Sequence, residues 1–418
     1  MKQGWEMKRL KEVCAKITDG THQTPKYFDE GYIFLSSKNV TSGKIDWENI
    51  KYIDEKQHIE MYKRVAPKVG DILLAKNGTT GVAAMVDRDV VFDIYVSLAH
   101  LSPLKNISAH YLLHFINSPL AKNQFNKRLK GAGVPNLHLE EIREVEIPLP
   151  PLPEQQRIVS ILDEAFAAIA KAKANAEQNL KNAKELFESY LQGVFENKGD
   201  GWEEKTLGDV CTLYQGIAIN AKTKHALVEK SDLPLLRIKD LKNNTVEQYI
   251  DPNNFPKNAL VKEDDIIYTR TGSLGLVFRG KKGVLHNNSF KVVPNNQLDK
   301  DFLFIWLQNP IFKSKIMELA LKAAQPDITH AIFKIQEIAI PTLKEQQTIV
   351  RQLDALRAET QKLEAVYQKK IADLEELKKS ILQKAFAGEL QSPEGARYAN
   401  DGHSPSDKKK SITSPEGA

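Results

Sequence analysis

An internal repeat constrains the fold of this chain more than any other feature. The opening Gly4-Trp5-Glu6 returns as Gly201-Trp202-Glu203, an offset of 197 residues, and Glu154-Gln155-Gln156 returns as Glu345-Gln346-Gln347, an offset of 191. The 418-residue chain is therefore one unit of about 195 residues written twice. The ends of the two copies match well, whereas their middles match poorly. A shared frame with two different middles favours two domains that recognise different things, and an old duplication that drifted is the alternative.

Each copy begins with a globular part, residues 1–151 and residues 201–342, in which short apolar runs alternate with Gly, Asn and Pro. The runs at 31–35, 71–74 and 82–86 predict strands. The runs at 111–116 and 302–307 predict short helices, each followed by a proline. The sequence therefore predicts two compact domains of the α/β (α+β) class.

Each copy ends in a long segment predicted to be helical, residues 152–200 and residues 343–390. A proline-rich stretch at 149–153 leads into the first segment, and after this stretch the sequence has no proline until Pro234. Apolar or small residues recur at steps of three and four along the first segment: Ile158, Leu162, Ala165, Ile169, Ala172, Ala176, Leu180, Ala183, Phe187, Tyr190 and Val194. The second segment repeats this spacing, with polar Thr360 and Lys378 in the stripe. Two helices of roughly 60 Å with one apolar stripe each are predicted to pair with each other.

Composition bounds the classes of protein to which the chain can belong. With 41% hydrophobic and 27% charged residues it matches an ordinary soluble protein, and its net charge of +5 permits a nucleic-acid partner without requiring one. Two cysteines give neither a disulfide framework nor a metal cluster, and they favour a reducing, cytoplasmic setting. No apolar run approaches the length of a membrane span, and no signal peptide is expected. The tail at 391–418 lacks apolar residues and is predicted to be disordered.

Motifs for catalysis are missing from the sequence. It contains neither the phosphate loop G-x-x-x-x-G-K-[ST] nor H-E-x-x-H, and Asn309-Pro310-Ile311-Phe312 lacks the second proline of a methyltransferase N-P-P-[FY] box. Cys14 and Cys211 hold equivalent places on an apolar face and are interpreted as small core residues. The chain is therefore predicted to be non-catalytic, without a metal or cofactor of its own.

Polar loops supply the candidate binding residues. In each copy a hydrophobic strand is followed by a loop with two glycines, and cations, amides and hydroxyls of such a loop suit phosphate oxygens and base edges. A solvated hairpin turn is the alternative. The candidates are Thr21, His22, Lys38, Asn39, Lys76, Asn77, Thr79 and Thr80 in the first copy, and Lys239, Arg270, Thr271 and Ser273 in the second.

Together these features resemble the specificity subunits of Type I restriction-modification systems. The resemblance rests on Gly70-Asp71-Ile72-Leu73-Leu74-Ala75-Lys76-x-Gly78-x-x-Gly81, on Ile147-Pro148-Leu149-Pro150-Pro151-Leu152-x-Glu154-Gln155-Gln156 and on the long helix, all doubled over about 390 residues. It implies two target-recognition domains that each read half of a split sequence in double-stranded DNA. It also implies a pseudo-twofold repeat whose helices form an antiparallel coiled coil and set the spacing between the half-sites.

The same resemblance implies the partners of the chain. Two modification (methyltransferase) subunits would carry the S-adenosylmethionine chemistry, restriction (endonuclease/translocase) subunits could join them, and magnesium and ATP are expected only on these partners. Two departures are that the second copy has Asp264-Asp265 where the first has Gly70-Asp71, and that its helix is preceded by fewer prolines, so the turn and the linker could differ there. A non-catalytic coiled-coil scaffold whose domains bind proteins is the main alternative function, and a cryptic nuclease or methyltransferase is a third.

Overall fold

The computed structural model describes residues 3–41, 43–130, 135–322 and 325–390. The predicted disorder of residues 391–418 lies outside the described residues. The described residues form two compact units, and the chain is divided between them at 175/176 and at 369/370. Each unit therefore combines one globular domain with one part of each long helix. No helix in the described part of the chain is long and apolar enough to cross a membrane.

The globular domain of the first unit is built on a four-stranded antiparallel sheet. Its elements, followed by the first long helix, are β1 Glu6–Arg9, α1 Leu10–Val13, β2 Cys14–Asp19, β3 Tyr32–Leu35, β4 Lys51–Ile53, α2 Glu55–Tyr62, β5 Ile72–Ala75, β6 Val82–Met85, β7 Phe92–Ile94, β8 Leu98–Pro103, α3 Ala109–Ile116, α4 Pro119–Arg128, α5 Leu139–Arg143, β9 Glu146–Leu149 and α6 Leu152–Glu196. The main sheet has the order β2-β8-β5-β6, a second sheet has the order β4-β3-β7, and β1 pairs with β9. The three predicted strands are confirmed as β3, β5 and β6, each shifted by a single residue at one or both ends.

The domain of the second unit repeats this frame. Its elements are β10 Glu203–Thr206, α7 Leu207–Val210, β11 Cys211–Gln215, β12 Leu227–Val228, β13 Leu235–Leu236, α8 Ile238–Asn243, β14 Tyr249–Ile250, β15 Leu260–Val261, β16 Ile266–Thr269, β17 Val277–Phe278, β18 Gly283–Leu285, β19 Ser289–Pro294, α9 Lys300–Trp306, α10 Pro310–Ala320, α11 His330–Lys334, β20 Glu337–Ile340 and α12 Leu343–Ala387. The order β11-β19-β16-β17 matches the main sheet of the first domain, and β10 pairs with β20 as β1 pairs with β9. The middles of the two domains differ. The small sheet has the order β4-β3-β7 in the first domain and β13-β18-β15 in the second, so the outer antiparallel strand pairs with β3 in one and with β18 in the other.

The two long helices pack against each other within each unit, as the apolar stripes predict. In the first unit Arg157 of α6 donates to the carbonyl oxygen of Leu390, just beyond α12, at 3.5 Å, and Lys173 Nζ lies 2.5 Å from Glu375 Oε1. In the second unit the guanidinium of Arg357 lies 4.9 Å from the ring centroid of Phe187. In the first unit the residue numbers on α12 fall as those on α6 rise, so the helices run antiparallel.

Each domain packs against the C-terminal end of the long helix that belongs to the other repeat. In the first unit the Phe386 ring of α12 lies 5.3 Å from the Tyr111 ring and 5.4 Å from the Phe115 ring. In the second unit the Phe195 ring of α6 lies 5.5 Å from the Phe302 ring. Phe195 and Phe386 are 191 residues apart, and so are Tyr111 and Phe302. The repeats therefore share their helix-to-domain packing as well as their sheets.

The predicted apolar stripe is wrong at Tyr190. Its side chain is 43% exposed, whereas the neighbouring Leu191 is 2% exposed and belongs to the core of the second domain. The last turns of α6 face that domain, so the buried stripe moves by one residue to Leu191 and Phe195. The two polar stripe positions are accommodated: the hydroxyl of buried Thr360 donates to a backbone carbonyl of its own helix, and the Lys378 ammonium lies 5.0 Å from the Phe166 ring centroid.

One glutamine fastens the start of each long helix. The Oε1 atom of buried Gln155 accepts from the backbone N–H of Ser108 at 2.9 Å, and its Nε2 donates to the Pro150 carbonyl at 2.9 Å. Buried Gln346 makes the equivalent bonds to Asp299 at 2.7 Å and to Pro341 at 2.8 Å. These bonds explain the repeated Glu-Gln-Gln motif, and they hold the helix start to the domain despite the fewer prolines of the second copy.

Removing this glutamine is expected to destabilise the second unit. Gln346→Ala leaves the half-buried N–H of Asp299 and the carbonyls of Gln297 and Pro341 without this partner, so the free energy of unfolding should fall by about 2–3 kcal/mol. Urea unfolding followed by circular dichroism measures the change. Gln347→Ala is the matched control, because its side chain is exposed and its effect should stay within about 0.5 kcal/mol. Equal effects of the two variants would contradict the role assigned to Gln346.

Candidate nucleic-acid interface

The two glycine loops have the same backbone structure. Gly78 and Gly81 have φ angles of 74° and 78°, and Gly272 and Gly275 have φ angles of 73° and 69°. Glycine adopts this left-handed region without strain. In each loop the second glycine donates its N–H to the last residue of the preceding strand, Gly81 to Ala75 at 2.9 Å and Gly275 to Thr269 at 3.0 Å. Between the glycines of the first loop the turn leaves Thr79 exposed and Thr80 half-buried, and Ser273 in the second loop is half-buried.

In the first domain Lys76 lies at the centre of a charged cluster. Its buried ammonium is 3.0 Å from Oδ2 of Asp19, which is also buried. Asp19 Oδ1 accepts from Arg64 Nη2 at 2.5 Å and lies 3.3 Å from His22 Nε2. Burial alone would raise the pKa of Asp19, but the hydrogen bonds from Arg64, Lys76 and His22 hold this pKa below its ordinary value. Two cations thus surround one carboxylate, and the cluster carries a net positive charge.

Two segments of the chain pass very close to each other beside Asp19, and this contact fixes the position of the charged cluster. A Cβ atom on Gly20 would lie 1.9 Å from the Ile94 carbonyl oxygen, so only glycine fits directly after Asp19. The next residue, Thr21, is buried and donates its N–H to the same carbonyl at 3.0 Å. Gly216 makes the equivalent crossing in the second domain, where a Cβ atom would lie 2.3 Å from the His286 carbonyl oxygen.

In the second domain Arg270 is paired with a different carboxylate. Its Nε donates to Asp327 Oδ1 at 2.9 Å and its Nη2 donates to Asp327 Oδ2, a side-on bidentate pair. The pair borders a recess of about 470 Å³. The lining residues of this recess are Arg270, Thr271, Gly272, Asn287, Asn288, Gln325, Pro326 and Asp327.

The carboxylate that pairs with the loop cation comes from a different part of the chain in each repeat. Asp327 lies 191 residues after Asn136, and Gln215 precedes Gly216 as Asp19 precedes Gly20. Positions 136 and 327 share a backbone contact with the glycine loop, since the N–H of Leu137 donates to Lys76 at 2.8 Å and the N–H of Ile328 donates to Arg270 at 2.9 Å. One frame therefore presents two chemically different polar clusters.

Among the remaining predicted residues, two lysines are exposed and one asparagine is buried. Lys38 is exposed, and Lys239 forms an ion pair with Glu247. Asn39 is buried, and its amide accepts from Ser36 N–H at 2.9 Å and donates to the Asn49 carbonyl at 3.1 Å. Since this amide is bound within its own loop, we leave Asn39 out of the interface proposed below.

Asn77 and Arg64 complete the description of the first loop. Asn77 pairs through its backbone with Asn136, and the side-chain oxygens of both are buried without a hydrogen-bond donor among the described residues. Arg64 and Asp327 were not among the predicted residues, because each is defined by a contact with a residue far away along the chain. The equivalence of Asp327 with Asn136 under the 191-residue offset was the one available signal.

The cysteines are core residues, as predicted. Cys14 and Cys211 are free and buried, and burial raises the pKa of each thiol to about 12, with the carboxylate of Asp71 adding to the shift of Cys14. Neither thiol forms the reactive thiolate near neutral pH. The described residues contain no group of three His, Cys, Asp or Glu side chains that could hold a metal ion.

The chain matches a known family over most of its length. Residues 2–181 and 199–374 match the family described as the Type I restriction modification DNA specificity domain, one copy for each repeat. The chain belongs to this family. Each matched segment spans one copy of the globular domain and the first part of its long helix.

Relatives and solved structures agree with this assignment. The chain is 25% identical over 419 residues to the Type I restriction enzyme EcoKI specificity subunit of Escherichia coli (strain K12), covering 93% of this chain and 89% of the relative. It is 24% identical to the putative type I restriction enzyme MjaX specificity subunit of Methanocaldococcus jannaschii, covering 93% and 94%. The HsdS subunit from Thermoanaerobacter tengcongensis has the same fold, with a TM-score of 0.59, 20% identity and coverage of 93% and 98%. A solved structure from work on the complex assembly and conformational transition of the type I R-M system matches with a TM-score of 0.75 and 21% identity, covering 93% of this chain and 99% of that chain.

Proposed function

We propose that this chain is the non-catalytic, DNA-reading subunit of a Type I restriction-modification enzyme. Each globular domain reads one half of a bipartite target in double-stranded DNA, and the paired long helices set the distance between the halves. The chain docks two modification subunits, which supply S-adenosylmethionine chemistry, and it docks restriction subunits that use magnesium and ATP. The division into domains at 1–151 and 201–342 with helices at 152–200 and 343–390 is part of this proposal.

The single observation that supports this function best is the pair of polar clusters on one repeated frame. Lysine, arginine, amide and hydroxyl groups at loop ends are the groups that contact DNA phosphates and base edges. The first domain places Lys76 with Asp19 and Arg64 at this point of the frame, and the second places Arg270 with Asp327. Because the clusters differ in residue type and net charge, the two domains should read different half-sites.

A chimera tests the assignment of half-sites to domains. Replacing residues 201–342 with a copy of residues 1–151 should give an enzyme whose target carries the first half-sequence in both halves. The chimera should fold, because Leu191 and Phe195 of α6 occupy the same repeat positions as Leu382 and Phe386 of α12, which already pack on the first domain. Sequencing of methylated sites, with the modification subunits co-expressed, reads out the target.

A chimera that still recognises the original second half-sequence would contradict this assignment. The wild-type chain with the same subunits is the control, and its two half-sequences should differ. The scaffold alternative has its own signature: a chain whose domains bind proteins would show no salt-dependent retention on duplex DNA, whereas phosphate contacts weaken steeply as salt rises.

A further inference from the structure

The side-on pairing of Arg270 leaves one edge of its guanidinium free. The bonds to Asp327 use Nε–H and one N–H of Nη2. No contact in the described part of the chain occupies Nη1. One N–H of Nη1 and the second N–H of Nη2 form the end-on edge, which can also bind two adjacent acceptors. The carboxylate thus fixes the plane of the guanidinium without blocking its second binding edge.

The recess beside this edge is lined by three side-chain amides. Asn287, Asn288 and Gln325 line it. The Asn288 side chain hydrogen-bonds His286, whereas the side-chain amides of Asn287 and Gln325 make no hydrogen bond to another described residue. Hydrogen bonds hold the backbones of two of these lining residues: the Asn287 carbonyl accepts from Gln215 Nε2 at 2.7 Å, and the Asn288 carbonyl accepts from the Arg270 N–H at 2.9 Å. The recess therefore offers neutral hydrogen-bonding groups around one oriented arginine, and the backbones of Asn287 and Asn288 are fixed.

Charge indicates which part of DNA such a recess suits. The Arg270–Asp327 pair is neutral as a whole, and a carboxylate at the wall repels a phosphate. The first-domain cluster differs, because Lys76 and Arg64 share one carboxylate and leave a net positive charge. A neutral, donor-rich edge suits the uncharged acceptors of a base rather than the backbone.

We propose that this recess is a base-reading pocket of the second domain, in which the end-on edge of Arg270 donates to O6 and N7 of a guanine in the major groove. Asp327 is a positioning residue that holds Arg270 in plane, and the amides of Asn287, Asn288 and Gln325 contact the bases beside that guanine. The inference rests on the proposed function and names one base of the second half-site. Lys76 makes no equivalent guanine contact, because its ammonium is a point charge buried against Asp19.

A selection experiment on the assembled complex tests the pocket. The chain is purified with its modification subunits and offered duplex DNA in which the first half-site and the spacer keep the wild-type sequence and the second half-site is randomised. The wild-type complex should select guanine at one position at least. Arg270→Lys and Asp327→Asn should both lower that preference, by about ten- to a hundredfold for Arg270→Lys, at the same position and no other. Lysine at 270 keeps an ion pair with Asp327, so this variant preserves the fold.

A matched control removes a similar ion pair elsewhere in the domain. Asp301→Asn breaks the exposed pair between Arg279 and Asp301 and should leave every selected position unchanged. The pocket is overturned if the wild-type second half-site selects no guanine, if the two variants act at different positions, or if Arg270→Lys weakens binding equally at all positions. If the wild-type complex selects no bipartite sequence at all, the proposed function fails as well, and that result is distinct from the first three.

Discussion

The variant Asp19→Asn is expected to lose about 3–5 kcal/mol of unfolding free energy at pH 7. Asparagine keeps the size of the side chain but removes its charge, which leaves the buried ammonium of Lys76 without an anion at 3.0 Å. Arg64 also loses its carboxylate partner. An unpaired charge inside a protein is among the most destabilising results of a single substitution. Urea unfolding of the wild type and the variant at pH 7 measures the loss.

The pH dependence of this loss has a definite sign. The hydrogen bonds from Arg64, Lys76 and His22 hold the folded-state pKa of Asp19 below its unfolded value near 4. Such a group stabilises the fold fully above the unfolded pKa, and its contribution disappears as the pH falls through the lower, folded pKa. The difference between wild type and Asp19→Asn should therefore shrink in acid. Asp29→Asn, at an exposed site of the same domain, should change stability by less than about 0.5 kcal/mol. A difference that grows in acid would contradict this account of the cluster.

The frame of the fold could be predicted because its signals are local or periodic. Strands β5 and β6 are unbroken apolar runs, and each lies within a residue of its predicted position. The 191-residue offset places the start of α12 at Leu343 from the start of α6 at Leu152. The turn differs at Asp264, since Gly70 has a φ of 89° and Asp264 does not have a positive φ. The hydrogen bond across the turn is kept, because Asp265 accepts from the Lys262 N–H at 2.9 Å as Asp71 accepts from the Lys68 N–H at 2.8 Å.

The polar clusters could be predicted only in part, because their contacts are not local. The sequence indicated Lys76 and Arg270, which sit beside glycines in a repeated loop. Their acids could not be assigned, since Asp327 lies 57 residues after Arg270 and comes from a loop with no motif of its own. Arg64 lies 45 residues from Asp19, and the two meet only through the tertiary fold. Lys38 and Asn39 are neighbours in one polar loop, but Lys38 is exposed and Asn39 is buried, a difference that the sequence does not indicate.

A matched four-residue insertion in both long helices is expected to lengthen the DNA spacer by one to two base pairs. The chain passes from one unit to the other between Asn175 and Ala176 on α6 and between Lys369 and Lys370 on α12. Insertion at these points leaves each unit's own pairings intact, among them Lys173 with Glu375. Four residues add about 6 Å of helix at 1.5 Å per residue, and DNA rises about 3.4 Å per base pair. Methylation at the original spacing should fall on the order of a hundredfold, since mis-spaced half-sites no longer bind together.

The half-site sequences should stay the same in this variant, because no recognition loop has changed. Four residues turn an α-helix by about 40° beyond a full turn, so the apolar stripe stays nearly in phase. Inserting two residues at the same points is the control, since it turns the stripe by about 200° and should abolish recognition of the bipartite target at any spacing rather than shift the spacing. Sequencing of methylated sites from cells that express each variant with the modification subunits separates the outcomes. If the four-residue variant methylates the original spacing at full rate, the helices are a tether and the spacer length is set elsewhere in the complex.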